Sequence, residues 1–229
     1  MEIAETGPPL RPEDETRARG SLERMEARGY SPDPAGLQKA LEDGPDVATR
    51  AEAAFLLGYL HADSARQGLR QALSDDSARV RVEAALAIAR IGDLGTSLPV
   101  LRRELSGQLF QDAPLRAARA LALLGDASGY GKVLEALESE FPSNRMEAIA
   151  VLPSFLPYQG QIHAERPIDV IDRLIAAAAD EEPLLRRDAL TALAAIDNER
   201  AAAAVAAAAV ADPAADVREF ARQLQKLKH

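Results

Sequence analysis

The polar and apolar positions of the chain repeat one theme. An arginine is followed three and four places later by two small or apolar residues, the spacing of one helix face. Arg50 leads to Ala53 and Ala54, Arg81 to Ala84 and Ala85, Arg145 to Ala148 and Ile149, and Arg186 to Ala189 and Leu190. Pro114 takes the arginine's place ahead of Ala117 and Ala118, and Arg218 opens the last copy. By subtraction, positions 50, 81, 114, 145, 186 and 218 lie 31, 33, 31, 41 and 32 residues apart. That is the length of one helix–turn–helix unit, with one outlier. The pattern therefore predicts first helices over 49–62, 80–93, 113–126, 144–157, 185–198 and 217–229, the fourth ended early by Pro153 and the breakers Pro157, Gly160 and Pro167 that follow.

A second amphipathic element follows each of the first five, over 62–73, 96–106, 128–139, 167–179 and 199–210. Apolar positions such as Leu69/Leu73, Leu98/Leu101/Leu105, Leu134/Leu137 and Val170/Ile171/Leu174 are expected to face the first helices. Asp75, Asp180 and Asp212 each stand six residues before a column arginine, in the turn between units, where a carboxylate can cap the next helix. Helix pairs leave no place for a sheet. Residues 1–12, with three prolines, read as a flexible tail. Residues 13–44, read as two helices joined by Ser31-Pro32-Asp33-Pro34, are expected to be an N-terminal capping pair ahead of an array over 45–229.

The stretches LSDDSARVRVEAALAIARIGD (73–93) and VADPAADVREFARQL (210–224) resemble the bacterial HEAT-like repeat named after phycobilisome lyases, over about residues 45–229. The resemblance implies an all-α fold, a right-handed α-α superhelix of about six helix-pair repeats. It also implies a polar ladder in which turn aspartate and helix arginine tie neighbouring repeats. Gln108 and Pro114 break that ladder in the third repeat, and Ser139 weakens it in the fourth.

Composition narrows the function. The net charge of −9 disfavours partners read through phosphates, because nucleic-acid binding draws on clustered Lys and Arg. With no cysteine there is no thiolate nucleophile or disulfide, which fits a cytoplasmic setting. The start lacks the pattern of a secretory signal, and no apolar run is long enough to span a bilayer. Nucleic acid and membrane are not expected partners; another protein is.

Candidate chemistry is sparse. No phosphate-cradling loop, zinc-binding His-Glu-x-x-His or nucleophile elbow occurs, and neither a metal nor a cofactor is expected. His61 stands at a helix end where other repeats carry Gly or Asp and reads as a turn residue; His229 is the last residue. Glu52, Glu83 and Glu147 recur at one repeat position, with Asp188 in the next copy, and such repetition reads as structural. The second helices are expected to line a concave binding side, with Arg66, Arg70, Arg102 and Arg103 in its first half and Glu135, Glu138, Asp169 and Asp172 in its second. The 41-residue spacing marks an insertion near 157–167 that carries Tyr158, Gln161, His163, Glu165 and Arg166, and loops on a rigid scaffold often specify a partner.

These features describe a non-enzymatic scaffold, adaptor or inhibitor that binds a protein through the concave surface and the inserted loop. The alternative implied by the resemblance is a lyase subunit or chaperone that attaches or detaches an open-chain tetrapyrrole on a phycobiliprotein. A remote third reading is a helical-repeat DNA glycosylase. It requires a basic, aromatic-bearing groove, which the acidic balance and absent Trp oppose.

Overall fold

The computed structural model describes residue 10, residues 12–108 and residues 113–227. Most of the expected tail, together with Lys228 and His229, lies outside the described residues. Among the described residues the chain forms thirteen α-helices and one two-stranded hairpin. They divide into two compact units, residues 1–129 and residues 130–229.

The first helices are α3 (Val47–Tyr59), α5 (Ala78–Arg90), α7 (Ala113–Leu123), α9 (Pro142–Val151), α11 (Pro183–Ala195) and α13 (Ala215–Leu227). The second helices are α4 (Arg66–Ala72), α6 (Leu94–Glu104), α8 (Tyr130–Leu137), α10 (Val170–Ala177) and α12 (Glu199–Ala211). Ahead of them stand α1 (Pro12–Ala27) and α2 (Pro34–Asp43). The helix pairs fall where the arginine column places them, so the fold is the all-α repeat expected.

Small residues set how closely the first helices approach. Ala53, Ala54, Ala84, Ala85, Ala117 and Ala118 are all buried. In α3, a Cβ placed on Gly58 would stand 2.6 Å from the Ala87 Cα of α5. The core of residues 1–129 closes around these contacts with Phe55, Leu56, Leu57, Leu69 and Ile88 in one cluster, and Leu101, Leu121 and Leu124 in another. In residues 130–229 the buried side chains include Ile149, Phe155, Leu174, Leu190, Leu193 and Val217. Of the predicted second-helix positions, Leu69, Leu101, Val170, Ile171 and Leu174 are buried, while Leu73, Leu98, Leu105, Leu134 and Leu137 are half-buried.

Helix ends follow local chemistry. The Asp46 carboxylate accepts from Thr49 N at 2.7 Å to start α3, and Asp93 caps α6 through Thr96 N at 3.1 Å. Gly92 and Gly125, at φ 89° and 87°, end α5 and α7 in the left-handed conformation. His61 occupies the same place after α3 at φ 48°, and its Nδ1 lies 3.1 Å from the Arg90 carbonyl oxygen.

Two local expectations are corrected. The second elements start late: α4 and α8 each follow a 3₁₀ turn, Asp63–Ala65 and Ala127–Gly129, so 62–65 and 128–129 are not α-helical. The insertion holds strand, since Ile162–His163 (β1) pairs antiparallel with Arg166–Pro167 (β2). Pro153, Pro157 and Gly160 end the helical run, and the freed backbone groups pair with each other.

Candidate functional site

The turn between repeats is built from one arginine and one aspartate, each used twice. Arg50 donates Nε and Nη2 to the two carboxylate oxygens of Asp75, at 2.7 and 3.1 Å. Arg145 holds Asp180 in the same way at 2.8 and 3.0 Å, and Arg186 holds Asp212 at 2.8 and 2.9 Å. The remaining nitrogen, Nη1, turns back to the chain's own preceding turn. Arg81 reaches the Asp75 carbonyl at 2.8 Å, Arg186 the Asp180 carbonyl at 2.9 Å and Arg218 the Asp212 carbonyl at 2.6 Å. Each of these aspartates is therefore bound through its carboxylate by one repeat and through its carbonyl by the next.

The aspartates do not cap the following helix as expected. Their Oδ1 atoms accept from the amide two residues on, Ser77, Glu182 and Ala214, at 2.8, 2.9 and 2.9 Å, which shapes the turn ahead of the helix. Where the third turn carries Gln108, Arg81 finds its carboxylate on α6 instead, donating to both oxygens of Glu104 at 2.9 and 2.8 Å. Ser139 still serves the fourth turn, because its carbonyl accepts from Arg145 at 3.0 Å. Hydrogen bonds from Arg186 hold the Asp212 carboxyl below the usual carboxylate range. At Asp75 and Asp180 burial is the largest influence and opposes ionisation, but the bonds from Arg50 and Arg145, those from the Ser77 and Glu182 amides and the charges of the adjoining arginines together leave both carboxyls lowered.

The four arginines proposed for binding on the second helices each have a carboxylate partner. Arg70 donates to Asp93 at 2.7 Å, Arg102 to Asp126 at 2.8 Å, and Arg103 to Glu104 at 3.1 Å; Arg66 pairs with Asp63 and reaches the Ile91 carbonyl at 3.0 Å. Asp93 and Asp126 form a second row, on the turn inside each repeat. The bond from Arg70 is the main reason that the Asp93 carboxyl is lowered. The signal for this row was present in the sequence as the Gly-Asp steps at 92–93 and 125–126. Arg70, Arg102 and Arg103 still keep 53%, 56% and 60% of their side chains in solvent, which leaves donors to present outward. In the second half Asp172 pairs with Arg200, Asp169 with Arg173 and Glu135 with Lys132, while Glu138 is exposed.

The insertion divides into an anchor and a tip. Residues Leu152–Tyr158 form a 3₁₀ turn whose Phe155 and Tyr158 are buried; Phe155 packs on Tyr130 of α8 and on Tyr158, with ring centroids 5.4 and 6.2 Å apart. Tyr130 donates its hydroxyl to Asp169 at 2.7 Å, and burial pushes its pKa up to about 12. Tyr158, proposed as a surface contact, is therefore part of the anchor. The hairpin stands beyond it, tied by Gly160 N to the Ile168 carbonyl at 2.8 Å and by Ile168 N to the Gln161 carbonyl at 2.9 Å. Gln161, Glu165 and Arg166 are exposed, His163 is half-buried, and Ile162 is 71% exposed. Ala164 and Glu165 turn the tip at φ 47° and 66°, a conformation that non-glycine residues seldom adopt.

Among the described residues no group of three or more His, Asp or Glu side chains could hold a metal ion, and no helix is long and apolar enough to cross a membrane.

Known proteins share this architecture. The family described as HEAT repeats matches residues 34–108 and 134–225. No curated protein matches the chain. Among solved structures, the complex of CpcE and CpcF of phycocyanin lyase from Nostoc sp. is similar at 24% identity, with a TM-score of 0.50, covering 99% of this chain and 91% of that chain. A designed armadillo repeat protein in complex with the peptide (KR)4 is similar at 17% identity and TM-score 0.48, covering 86% and 99%. An archaeal HEAT-like repeats protein from Thermococcus onnurineus is similar at 16% identity and TM-score 0.40, covering 85% and 96%.

Proposed function

We propose, from the premise that the chain belongs to the HEAT-repeat family, that it is a non-enzymatic adaptor, scaffold or inhibitor working in the cytoplasm and binding another protein. A repeat array of this kind is suited to protein binding, because its surface is long and its helices are held in fixed register. The observation that carries the reading is the hairpin over 160–168. It holds Ile162, Glu165 and Arg166 in solvent on an anchor of buried aromatic rings, and that exposed apolar residue flanked by both charges has the composition of a contact point. Arg70, Arg102 and Arg103 offer a second contact region on the second-helix face of residues 1–129.

The experiment is a pull-down from the native host, followed by titration of the captured protein. Replacing 161–166 by a Gly-Ser linker leaves Tyr158 and Phe155 in place, so the melting temperature is expected to stay nearly unchanged. Affinity is expected to fall tenfold or more, roughly 1.4 kcal/mol. Intact binding moves recognition to the second helices, where Arg70→Glu with Arg102→Glu is expected to slow association and to flatten or reverse its fall with rising salt, because the steering attraction is removed.

The second reading, a lyase subunit or chaperone for an open-chain tetrapyrrole, is supported by the resemblance in the repeat sequence. It predicts a shifted visible absorbance when purified protein is mixed with bilin, and an unchanged spectrum overturns it.

A further inference from the structure

Residues 12–28 carry far more charge than apolar surface, and the charge has a defined use. α1 lies on α3 and reaches α5. Arg17 donates to Glu83 at 2.6 Å and stacks over the Phe55 ring, 3.7 Å from its centroid. Arg24 and Arg28 both donate to Glu52, at 2.7 Å each. Near the start of the helix Asp14 accepts from Arg90 at 3.1 Å, with both side chains buried. Fully buried apolar contact from α1 comes from Ala18 and Met25, with Leu22 partly buried.

Ion pairs thus supply most of the links that seat this helix, and those of Arg17, Arg24 and Arg28 are open to solvent, whereas the Asp14–Arg90 pair is buried. Arg17, Arg24 and Arg28 keep 37%, 50% and 33% of their side chains exposed, so dissolved salt screens them. Glu52 and Glu83 occupy the same place in successive repeats, two residues after the column arginine. They form a row of acceptors that the arginines of α1 match in spacing. The connection permits departure, since Gly29 at φ 82° and the segment Ser31-Pro32-Asp33-Pro34 separate α1 from α2. The start of α2 is secured independently by Asp33, which accepts from Ala35 N and Gly36 N at 2.9 Å each.

We propose that α1 is a displaceable clasp, and that the carboxylate row it covers on α3 and α5 receives an arginine-bearing helix of a protein partner in its place. The occupant is defined by the helix now there: arginines on one stripe, spaced to meet Glu52 and Glu83, around a short apolar seam that includes a residue in the place of Met25. This surface belongs to the first helices and does not rest on the second-helix or hairpin reading.

The test uses the full chain and a fluorescent peptide of residues 12–28. In the Arg24→Glu, Arg28→Glu variant the clasp is repelled from Glu52. The peptide is expected to bind this variant at least about tenfold more tightly than wild type at low salt, and to be released at about 1 M salt, where the screening length falls to ~3 Å. Adding Glu52→Arg to the variant is expected to restore the closed state and exclude the peptide again. Equal affinity for wild type and variant, or binding to neither, overturns the proposal. If the variant does not fold, amide exchange on wild type decides. Amides of α1 are expected to lose protection as salt rises while those of α3 and α5 keep theirs, and joint loss refutes a separable clasp.

Discussion

Arg186→Ala tests the inter-repeat linkage most directly. The guanidinium of Arg186, 5% exposed, makes two bonds to the Asp212 carboxylate and donates to the carbonyls of Asp180 and Glu181 at 2.9 and 3.1 Å. Removing it leaves a buried carboxylate, 7% exposed, with the Ala214 amide as its remaining donor, and leaves two turn carbonyls without this partner. Breaking a buried pair from one side costs about 3 to 5 kcal/mol, and the lower figure applies because the Ala214 bond persists. At about 2 to 4 °C per kcal/mol for a chain of this size, the thermal midpoint is expected to fall by about 6 to 12 °C. Arg186→Lys keeps the charge but cannot make the two-pronged contact, so it is expected to fall between. Arg102→Ala is the control: its pair with Asp126 has the same charges, yet 56% of the arginine side chain is in solvent, and its loss costs about 0.5 kcal/mol. Calorimetry of the three variants decides. Equal midpoints for Arg186→Ala and Arg102→Ala refute the view that burial and the carbonyl contacts make this pair structural.

Two further predictions follow from the same geometry. The Asp212 carboxyl is lowered from an ordinary value of 3.8, chiefly by Arg186, so its ionised form contributes stability that is present above about pH 4 and lost as pH falls through the folded-state value. Melting curves from about pH 6 down to about pH 3 are expected to show a steeper loss for wild type than for Arg186→Ala, and parallel curves contradict the assignment. Gly58→Ala gains about 1 kcal/mol of helix propensity but sets a methyl 2.6 Å from the Ala87 Cα, and overpacking against backbone costs up to about 3 kcal/mol; net destabilisation of about 1 to 2 kcal/mol is expected in urea titration, and a more stable variant refutes the close approach.

The helix pairs were legible because they depend on periodicity, and the arginine column marked each first helix without knowledge of the neighbours. The column's partners were legible only in part. Asp75, Asp180 and Asp212 stand at a fixed distance before the next arginine, but that each carboxylate pairs with the arginine of the preceding repeat is set by stacking, which no local pattern encodes. Glu104 standing in for a turn aspartate follows from the same geometry. Tyr158 was misjudged for a related reason: the polar run Gln159-Gly160-Gln161 follows it, while its ring lies beside Phe155, which in turn packs on Tyr130 of another element. The strands at 162–163 and 166–167 escaped notice because their turn uses Ala164 and Glu165 in place of the Asn-Gly that marks such hairpins. The role of Glu52 and Glu83 as acceptors for α1 was hidden for a different reason, since the repeat to which they belong does not include their partners.

The doubly bound aspartate has a consequence for how such a chain can grow. A segment running from one turn aspartate through the following arginine carries an acceptor for the unit before it and a donor for the unit after it. A tandem copy of that segment therefore arrives with both halves of its own junction, and the arginine of the older copy meets the aspartate of the newer one without any compensating change elsewhere. Lengthening by duplication is close to neutral at such joints. A copy that begins with Gln108 and Pro114 lacks both halves, so a duplication starting there has to recruit a carboxylate from a neighbouring helix, as Arg81 does with Glu104, before it can be retained.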